Sequence, residues 1–192
     1  MSAVVIAGDT SGTITIQAPA AAGSNTLNLQ AASGTLAPIV SGTAVASTSG
    51  TAIDFTGIPS WAKRVTVMFN GVSTSGASLP LIQCGTSGGV VSTGYASTGS
   101  STNGSTIGSS NSTAGFIIRD GGNATDTRSG HYVLTSLGSN VWIGSYSMKS
   151  NTTSCGFGGG DVTLSGTLDR IRVTTVNGTD TFDAGSINIM WE

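Results

Sequence analysis

The chain has 192 residues, among them 29 Gly, 29 Ser and 28 Thr, and only 8% of its residues are charged, against about 25% in an average soluble domain. Glu occurs once and Lys twice, which excludes a mainly helical or doubly wound protein, and a net charge of −2 without a basic cluster argues against nucleic acid as a partner. A hydrophobic content of 38% is too high for a disordered chain, and apolar runs of about five residues are too short for a membrane helix, which needs about 20.

An N-terminal arm is predicted over residues 1–45, because this stretch contains no aromatic residue and only one charged residue, Asp9. Such a stretch has too little apolar surface to build a core of its own. Residues 13–18 and 26–31 resemble each other and alternate apolar with polar side chains, which predicts the two strands of a β-hairpin. The apolar face of this hairpin would contain Ile14, Ile16, Leu27 and Leu29.

This predicted hairpin is too small to be stable alone, since an isolated pair of strands is only marginally stable in water. We therefore expect the arm to serve for docking or oligomerisation, packed on the body, on another copy of the chain or on a different protein. The low charge of the whole chain also favours self-association, because charged side chains are the usual protection of exposed sheets. A closed symmetric assembly is the common outcome, and we predict a homotrimer.

Residues 46–192 are predicted to form a compact β body. Its strands show period-two alternation or short apolar runs bounded by Gly, Ser, Asn or Pro. The clearest strands cover residues 64–70, 131–137, 141–148, 168–175 and 186–191, and shorter candidates cover residues 52–55, 79–84, 90–95 and 115–118. Gly138 marks a hairpin turn that needs a positive φ. Many short strands at this spacing predict an all-β fold, an antiparallel β-sandwich or jelly roll preceded by the extended hairpin arm.

The least complex stretch is residues 97–113, which consist almost entirely of Ser, Thr, Gly and Asn. Ile107 is the only large apolar residue in it. We interpret this stretch as a long surface loop, either without a role of its own or as a contact loop at the outer end of the body.

Motifs of catalysis and metal binding are weak in this chain. Residues 85–89 match the G-x-S-x-G pattern of a nucleophile elbow, but no helix is expected after them, and a triad would need the single histidine, His131, with an acid such as Asp126. Metal binding needs clustered ligands, and one histidine with two distant cysteines does not supply them. We therefore expect no enzyme activity, no catalytic residue, no cofactor and no metal. Cys84 and Cys155 are expected to be free thiols, with a single disulfide as the alternative.

The densest charged spot of the sequence contains Asp169, Arg170 and Arg172. On a strand, the two arginines would share one face, while Asp169 would lie on the other face with Ile171. Arginine is enriched in interfaces, so a partner contact is one interpretation of this face, and a solvated strand face is the other.

Several stretches of the sequence resemble virion proteins of tailed bacteriophages. Residues 7–20, AGDTSGTITIQAPA, resemble a segment common in fibre proteins, in which the pattern continues to T-L-x-L and G-T-L, here residues 26–29 and 34–36. Residues 56–73, TGIPSWAKRVTVMFNGVS, and the closing stretch 182–189, FDAGSINI, resemble the start and the end of the domain that often follows. The middle of the body matches nothing in this family.

The resemblance implies a structural or adhesive role on the surface of a virion, frequent trimerisation and no catalytic residues. Tail fibres are usually longer than this chain, so its length favours a short head fibre or a capsid decoration protein that docks through its arm on capsid or tail proteins of the same virion. The alternative is a tail-fibre-type adhesin that binds a glycan or receptor on the host surface. Aromatic platforms for a sugar would then be supplied by Tyr95, Tyr132 and Tyr146.

Overall fold

The computed structural model describes residues 3–7, 11–17, 38–119 and 121–192. The described residues form β-strands, turns and bends without a helix, which confirms the predicted all-β class. The chain divides into two compact units, Met1–Leu36 and Ala37–Glu192.

The first unit contains an antiparallel hairpin of β1 (Ala3–Ala7) and β2 (Thr13–Gln17). The sequence predicted β2 but not its partner, because residues 3–7 are a continuous apolar run without alternation. The β-branched side chains of this run favour a strand nevertheless. Residues 26–31, the predicted partner of β2, lie outside the described residues, and so do Leu27 and Leu29.

The strands of the body follow in chain order. They are β3 (Val40–Ser41), β4 (Val45–Ala46), β5 (Ile53–Thr56), β6 (Arg64–Thr74), β7 (Pro80–Thr86), β8 (Gly89–Val90), β9 (Tyr95–Thr102), β10 (Ile107–Ser112), β11 (Phe116–Ile117), β12 (Arg128–Gly138), β13 (Val141–Lys149), β14 (Cys155–Thr163), β15 (Arg170–Thr175) and β16 (Phe182–Trp191).

Two antiparallel sheets make a sandwich-like body. The large sheet has the order β10-β9-β14-β13-β12-β6-β16-β3, with β4 also paired to β16, and the small sheet has the order β11-β7-β15-β5, with β8 paired to β7. The core lies between them. As predicted from alternation, Val65, Val67 and Phe69 are buried on one face of β6, and Ile187 and Ile189 are buried on β16.

The structure corrects two interpretations of the body sequence. The predicted loop at residues 97–113 is mostly a hairpin of β9 and β10, in which Ser97 and Ser101 are buried. Small polar residues on both faces hid the alternation from the sequence. Residues 38–45 were assigned to the arm, yet β3 and β4, which begin in this stretch, pair with β16 in the large sheet. The body therefore begins before residue 46.

The β12–β13 turn has the geometry of a two-residue hairpin loop. Ser139 and Asn140 adopt φ angles of 49° and 61°, and Gly138 before them has a φ of 102°, which confirms the predicted positive φ of that glycine. Two consecutive residues with positive φ are the mark of the type I′ turn, whose twist matches that of the flanking strands.

The two ends of the body carry different parts of the chain. At one end, here named the base, β6 begins and β16 ends, and the backbone N–H groups of Lys63 and Arg64 donate to the carbonyl of Glu192. Val40 pairs with Trp191 at the same end, so the chain enters the body at the base. The opposite end, named the tip, carries loops 47–52, 75–79, 103–106, 121–127, 150–154 and 176–181.

Candidate functional site

The hairpin of β1 and β2 presents an exposed apolar face. Cross-strand pairing places Val4 opposite Ile16 and Ile6 opposite Ile14, so all four side chains lie on one face. Each of them is more than half exposed. We name these four residues the arm face. Two of the predicted docking residues, Ile14 and Ile16, belong to it, and their neighbours are Val4 and Ile6 from a strand that the sequence did not predict.

The base carries the second group of exposed apolar side chains. Ile39, Trp61 and Leu137 are 68%, 41% and 71% exposed, and we name them the base patch. Ile39 precedes the strand that pairs with the end of β16, and Leu137 follows Ser136, whose N–H donates to the carbonyl of Lys63. The base patch therefore lies along the ends of four neighbouring strands, β3, β16, β6 and β12.

A shallow open depression of about 440 Å³ adjoins Trp61 at the base, and it is lined by Trp61, Lys63, Arg64, Thr135 and Glu192. Arg64 Nη1 lies 2.7 Å from Glu192 Oε1, so these two charges pair with each other. Lys63 is exposed and has no ion pair among the described residues.

The tip carries polar loops beside two exposed apolar side chains, Ile107 and Val176, and three of its loops are closed in the same way. The Oδ1 atoms of Asn103, Asn151 and Asn177 each accept hydrogen bonds from two backbone N–H groups, two and three residues further along the chain, at 2.8 to 3.2 Å. Asparagine side chains of this kind replace a backbone turn and fix the loop. The tip loops are therefore ordered turns, although their sequences are simple.

Side-chain hydrogen bonds join the tip loops to their neighbours. Asn151 Nδ2 donates to Asp126 Oδ1 at 2.9 Å, and Asp126 is buried. Asp180 accepts from Asn177 Nδ2 at 2.7 Å and from the N–H of Ser78 at 2.9 Å. The Asn177 side chain and the Ser78 amide both favour the ionised carboxylate, so they hold the pKa of Asp180 below its ordinary value.

The three tyrosines that were candidates for sugar binding are core residues, so that prediction is wrong. Tyr95, Tyr132 and Tyr146 are buried, and the rings of Tyr132 and Tyr146 stack with centroids 5.4 Å apart. Tyr95 Oη accepts from the N–H of Cys84 at 2.7 Å, and Tyr146 Oη accepts from the N–H of Arg119 at 2.8 Å. Burial raises the pKa of Tyr95 and of Tyr132.

Glycines of the large sheet make the room for these tyrosines. Gly144 faces the ring of Tyr132 across the strand pair, and a Cβ on Gly144 would also lie 2.8 Å from Leu134 Cδ2. A Cβ on Gly158 would lie 2.7 Å from Tyr146 Cε1. The glycine-rich stretch 156–160 is therefore a packed strand rather than a loop.

Arg170 and Arg172 alternate along β15 with the buried residues Ile171 and Val173, so they lie on its outer side, and both are in ion pairs. Arg172 makes two hydrogen bonds of 2.7 Å to the carboxylate of Asp54. The Arg172 side chain holds the pKa of Asp54 below its ordinary value.

The partner of Arg170 corrects the predicted placement of Asp169. Arg170 lies 2.8 Å from Asp169, which precedes β15 and therefore does not alternate with the strand. A partner contact at Arg170 and Arg172 stays a prediction.

The residues considered for catalysis do not meet in one place. Residues 85–89 form the turn from β7 into β8, and a strand follows where a nucleophile elbow needs a helix. His131 is exposed on β12 in the other sheet, whereas Asp126 is buried at the tip. The described residues contain no group of three or more His, Cys, Asp or Glu that could hold a metal ion.

The cysteine prediction is confirmed, since Cys84 and Cys155 are both free. Cys84 is buried in the core next to Tyr95, and burial raises the pKa of its thiol. Cys155 is exposed at the start of β14, in the strand position opposite Lys149. Only Cys155 is thus accessible to reagents in solution.

No protein family, curated protein or solved structure matches the chain. Among the described residues, no helix is long and apolar enough to cross a bilayer.

Proposed function

We propose that the chain is a non-enzymatic structural protein on the surface of a bacteriophage particle, a short head fibre or capsid decoration protein that docks through its arm. The observation that carries the proposal is the arm face, with four aliphatic side chains paired across two strands and left exposed. Such a hairpin gains stability only when another surface covers it. The sequence resemblance to phage fibre proteins supports a virion as the source of that surface.

The ordered, hydrogen-bonded loops of the tip are compatible with this role. The chain enters the body at the base, and the apolar base patch lies at the same end. The tip carries polar, hydrogen-bonded loops, which suit a surface that faces water.

Two double variants of the full chain test the docking role. Ile14→Asp with Ile16→Asp places two charges on the arm face, whereas Thr13→Asp with Thr15→Asp places two charges on the opposite face of the same strand. Particles from a phage-producing culture that expresses each variant are purified, and copies per particle are counted by quantitative mass spectrometry. The arm-face variant should be lost from particles, about tenfold or more, while the control stays near wild type. Equal incorporation of both variants contradicts the proposal.

We propose further that the chain is a homotrimer, since a sheet surface with so few charges is poorly protected against association. Light scattering of the purified chain at micromolar concentration should give three times the chain mass of 19.0 kDa. A stable monomer contradicts the trimer and leaves the docking role to be judged by the particle experiment.

The second candidate function is an adhesin that binds a host-surface glycan, and the tip favours it. Asn, Asp, Ser and Thr groups in fixed turns offer the donors and acceptors that a saccharide needs. Asn151→Ala, which removes the bond to Asp126, should weaken adsorption of particles to host cells several-fold if the tip binds the host. The control Asn188→Ala lies on β16, away from the tip loops. Unchanged adsorption of both variants contradicts the adhesin role of this tip site.

A further inference from the structure

We propose that the tip contains a site of spontaneous modification, at which Asn103 is deamidated to aspartate or isoaspartate by reaction with the backbone nitrogen of Gly104. The inference is independent of the docking role. It rests on the hydrogen bonds of the loop between β9 and β10, and on the contrast between this loop and the other Asn-Gly pairs of the chain.

An Asn-Gly pair can close a ring on itself. The backbone nitrogen of the glycine attacks Cγ of the asparagine and loses its proton, the Cγ–Nδ2 bond breaks, and the amide group leaves with that proton as ammonia. Water then opens the cyclic imide at one of its two carbonyls, which gives aspartate or isoaspartate. Glycine permits the attack because it has no Cβ to obstruct the ring. Such pairs occur at Asn70, Asn103 and Asn177, and the sequence alone does not rank them.

The loop between β9 and β10 activates the side chain of Asn103. Its Oδ1 accepts from the N–H groups of Ser105 at 3.2 Å and Thr106 at 2.9 Å, and from Ser105 Oγ at 3.2 Å. Negative charge develops on Oδ1 when Cγ is attacked, and donors already in place around this oxygen stabilise that charge as in an oxyanion hole. The N–H of Gly104 donates to Thr102 Oγ1 at 3.2 Å, so a hydroxyl lies at the nitrogen that must lose its proton.

The same loop can make the rotation that ring closure needs. Residues 103–106 are exposed, and within the described part of the chain their hydrogen bonds stay inside the hairpin of β9 and β10. A local opening that brings the Gly104 nitrogen to Cγ of Asn103 therefore breaks few contacts.

The pair at Asn177 is held more firmly. Its Oδ1 also accepts from two backbone N–H groups, but its Nδ2 donates to Asp180 Oδ1 at 2.7 Å. The N–H of Gly178 donates to the carbonyl of Thr175 at 3.0 Å, and the N–H of Asn177 donates to Ser78 Oγ in another loop at 3.0 Å. Rotation of the Asn177 side chain would break the bond to Asp180. The Asp180 carboxylate would also oppose negative charge on the nearby Oδ1.

The third pair lies inside β6. Asn70 and Gly71 belong to a strand that pairs with β12 on one side and with β16 on the other. The N–H of Gly71 donates to Ser129 Oγ of β12 at 2.9 Å. Ring closure would need a rotation that breaks these contacts, so the fold should slow deamidation most at Asn70. The fold thus selects Asn103 among three pairs that the sequence makes equal.

Deamidation at Asn103 changes the charge of the tip. Each converted copy goes from a net charge of −2 to −3, since a neutral amide becomes a carboxylate. An aspartate still offers an oxygen to the N–H groups of Ser105 and Thr106 and so preserves the turn. An isoaspartate adds one carbon to the backbone and does not preserve it. The tip of an aged chain therefore exists in forms that differ in charge and in loop conformation.

Incubation of the purified full chain in mildly alkaline buffer tests the inference. Peptide mass spectrometry follows conversion at each of the three asparagines, in native buffer and in urea. In urea the three should convert at similar rates, because all are followed by glycine. In native buffer Asn103 should convert at least about fivefold faster than Asn177 and about tenfold faster than Asn70. Equal native rates, or a faster rate at Asn70 or Asn177, overturn the inference.

Matched substitutions test the attacking residue. Gly104→Ala and Gly178→Ala each add a Cβ where no atom lies within 4 Å, and both glycines have a positive φ, so the two substitutions cause similar strain. Each should slow conversion several-fold at its own asparagine and leave the other unchanged. The effect should persist in urea, where folding plays no part. An unchanged rate at Asn103 in Gly104→Ala contradicts ring closure by the Gly104 nitrogen.

Asp180→Ala tests the protection of Asn177. This variant removes the carboxylate that holds the Asn177 amide, so Asn177 should convert at a native rate closer to that of Asn103. Conversion at Asn103 is the internal control and should not change. An unchanged rate at Asn177 contradicts the selection of Asn103 by these contacts.

Discussion

The ring of Tyr146 packs on Gly158 of the neighbouring strand so closely that a Cβ at Gly158 would lie 2.7 Å from Tyr146 Cε1. The same Cβ would lie 2.5 Å from the backbone oxygen of Thr98, so the ring and the neighbouring strand together leave room only for glycine at this position of β14. Glycine in a strand costs backbone entropy, and here the cost is offset by burying Tyr146 against the strand.

Gly158→Ala should therefore destabilise the body by about 1–3 kcal/mol, the usual cost of overpacking a core. Chemical denaturation measures the free energy of unfolding directly. Gly166→Ala is the matched control, because its Cβ would meet only Thr86 Cγ2 at 3.7 Å. An equal effect of the two substitutions would show that close packing does not determine the choice of glycine at position 158.

The β12–β13 turn offers a stabilising change. Ser139 and Asn140 both have positive φ angles, and Asn-Gly is the preferred pair for such a turn. Ser139→Asn with Asn140→Gly should raise the free energy of unfolding by about 0.5–1 kcal/mol. A melting temperature below that of the wild-type chain would contradict the type I′ assignment.

Acid should weaken the hydrogen bonds of the tip loops that Asp180 accepts. Its pKa in the folded chain is below the ordinary value, so the ionised carboxylate stabilises the loop contact above about pH 4. This contribution is lost as the pH falls through the folded pKa and the carboxylate is protonated. An NMR titration of the Asp180 carboxyl carbon should give a midpoint below 3.8, and Asn177→Ala should raise it. A wild-type midpoint at or above 3.8 contradicts the hydrogen-bonding geometry.

The two cysteines should differ strongly in reactivity. Cys155 is exposed, whereas Cys84 is buried and its pKa is raised, so little thiolate is available at Cys84. A maleimide added to the native chain should modify one thiol quickly and the second only after unfolding. Cys155→Ser should abolish the fast reaction, and a fast reaction that persists in this variant contradicts the burial of Cys84.

Alternation identified the strands whose inner faces are large and apolar, as in Val65, Val67 and Phe69 of β6. It missed β9, β10 and β14, because most of their inward residues are Ser and Gly. From the sequence alone, a small residue that packs under a tyrosine ring cannot be told from a small residue in a loop. For the same reason the tyrosines were wrongly predicted to be exposed. The glycines that make room for their rings lie on neighbouring strands, and the sequence does not show this pairing.

Of the candidate docking residues, Ile14 and Ile16 were recognised by their alternation with threonine. Val4 and Ile6 were missed, because a continuous apolar run does not reveal which residues share a face. The base patch could not be predicted, since Ile39, Trp61 and Leu137 come together only through the pairing of strands that are distant along the chain.

The accessibility of residue 16 on assembled particles tests the docking of the arm most directly. In a Cys155→Ser background, the thiol introduced by Ile16→Cys should react with a maleimide quickly in the free chain and at least about tenfold more slowly on particles, because the partner covers the arm face. The thiol introduced by Thr15→Cys, on the opposite face, controls for general crowding at the particle surface. Equal labelling rates of Ile16→Cys in the free chain and on particles would contradict docking through the arm face.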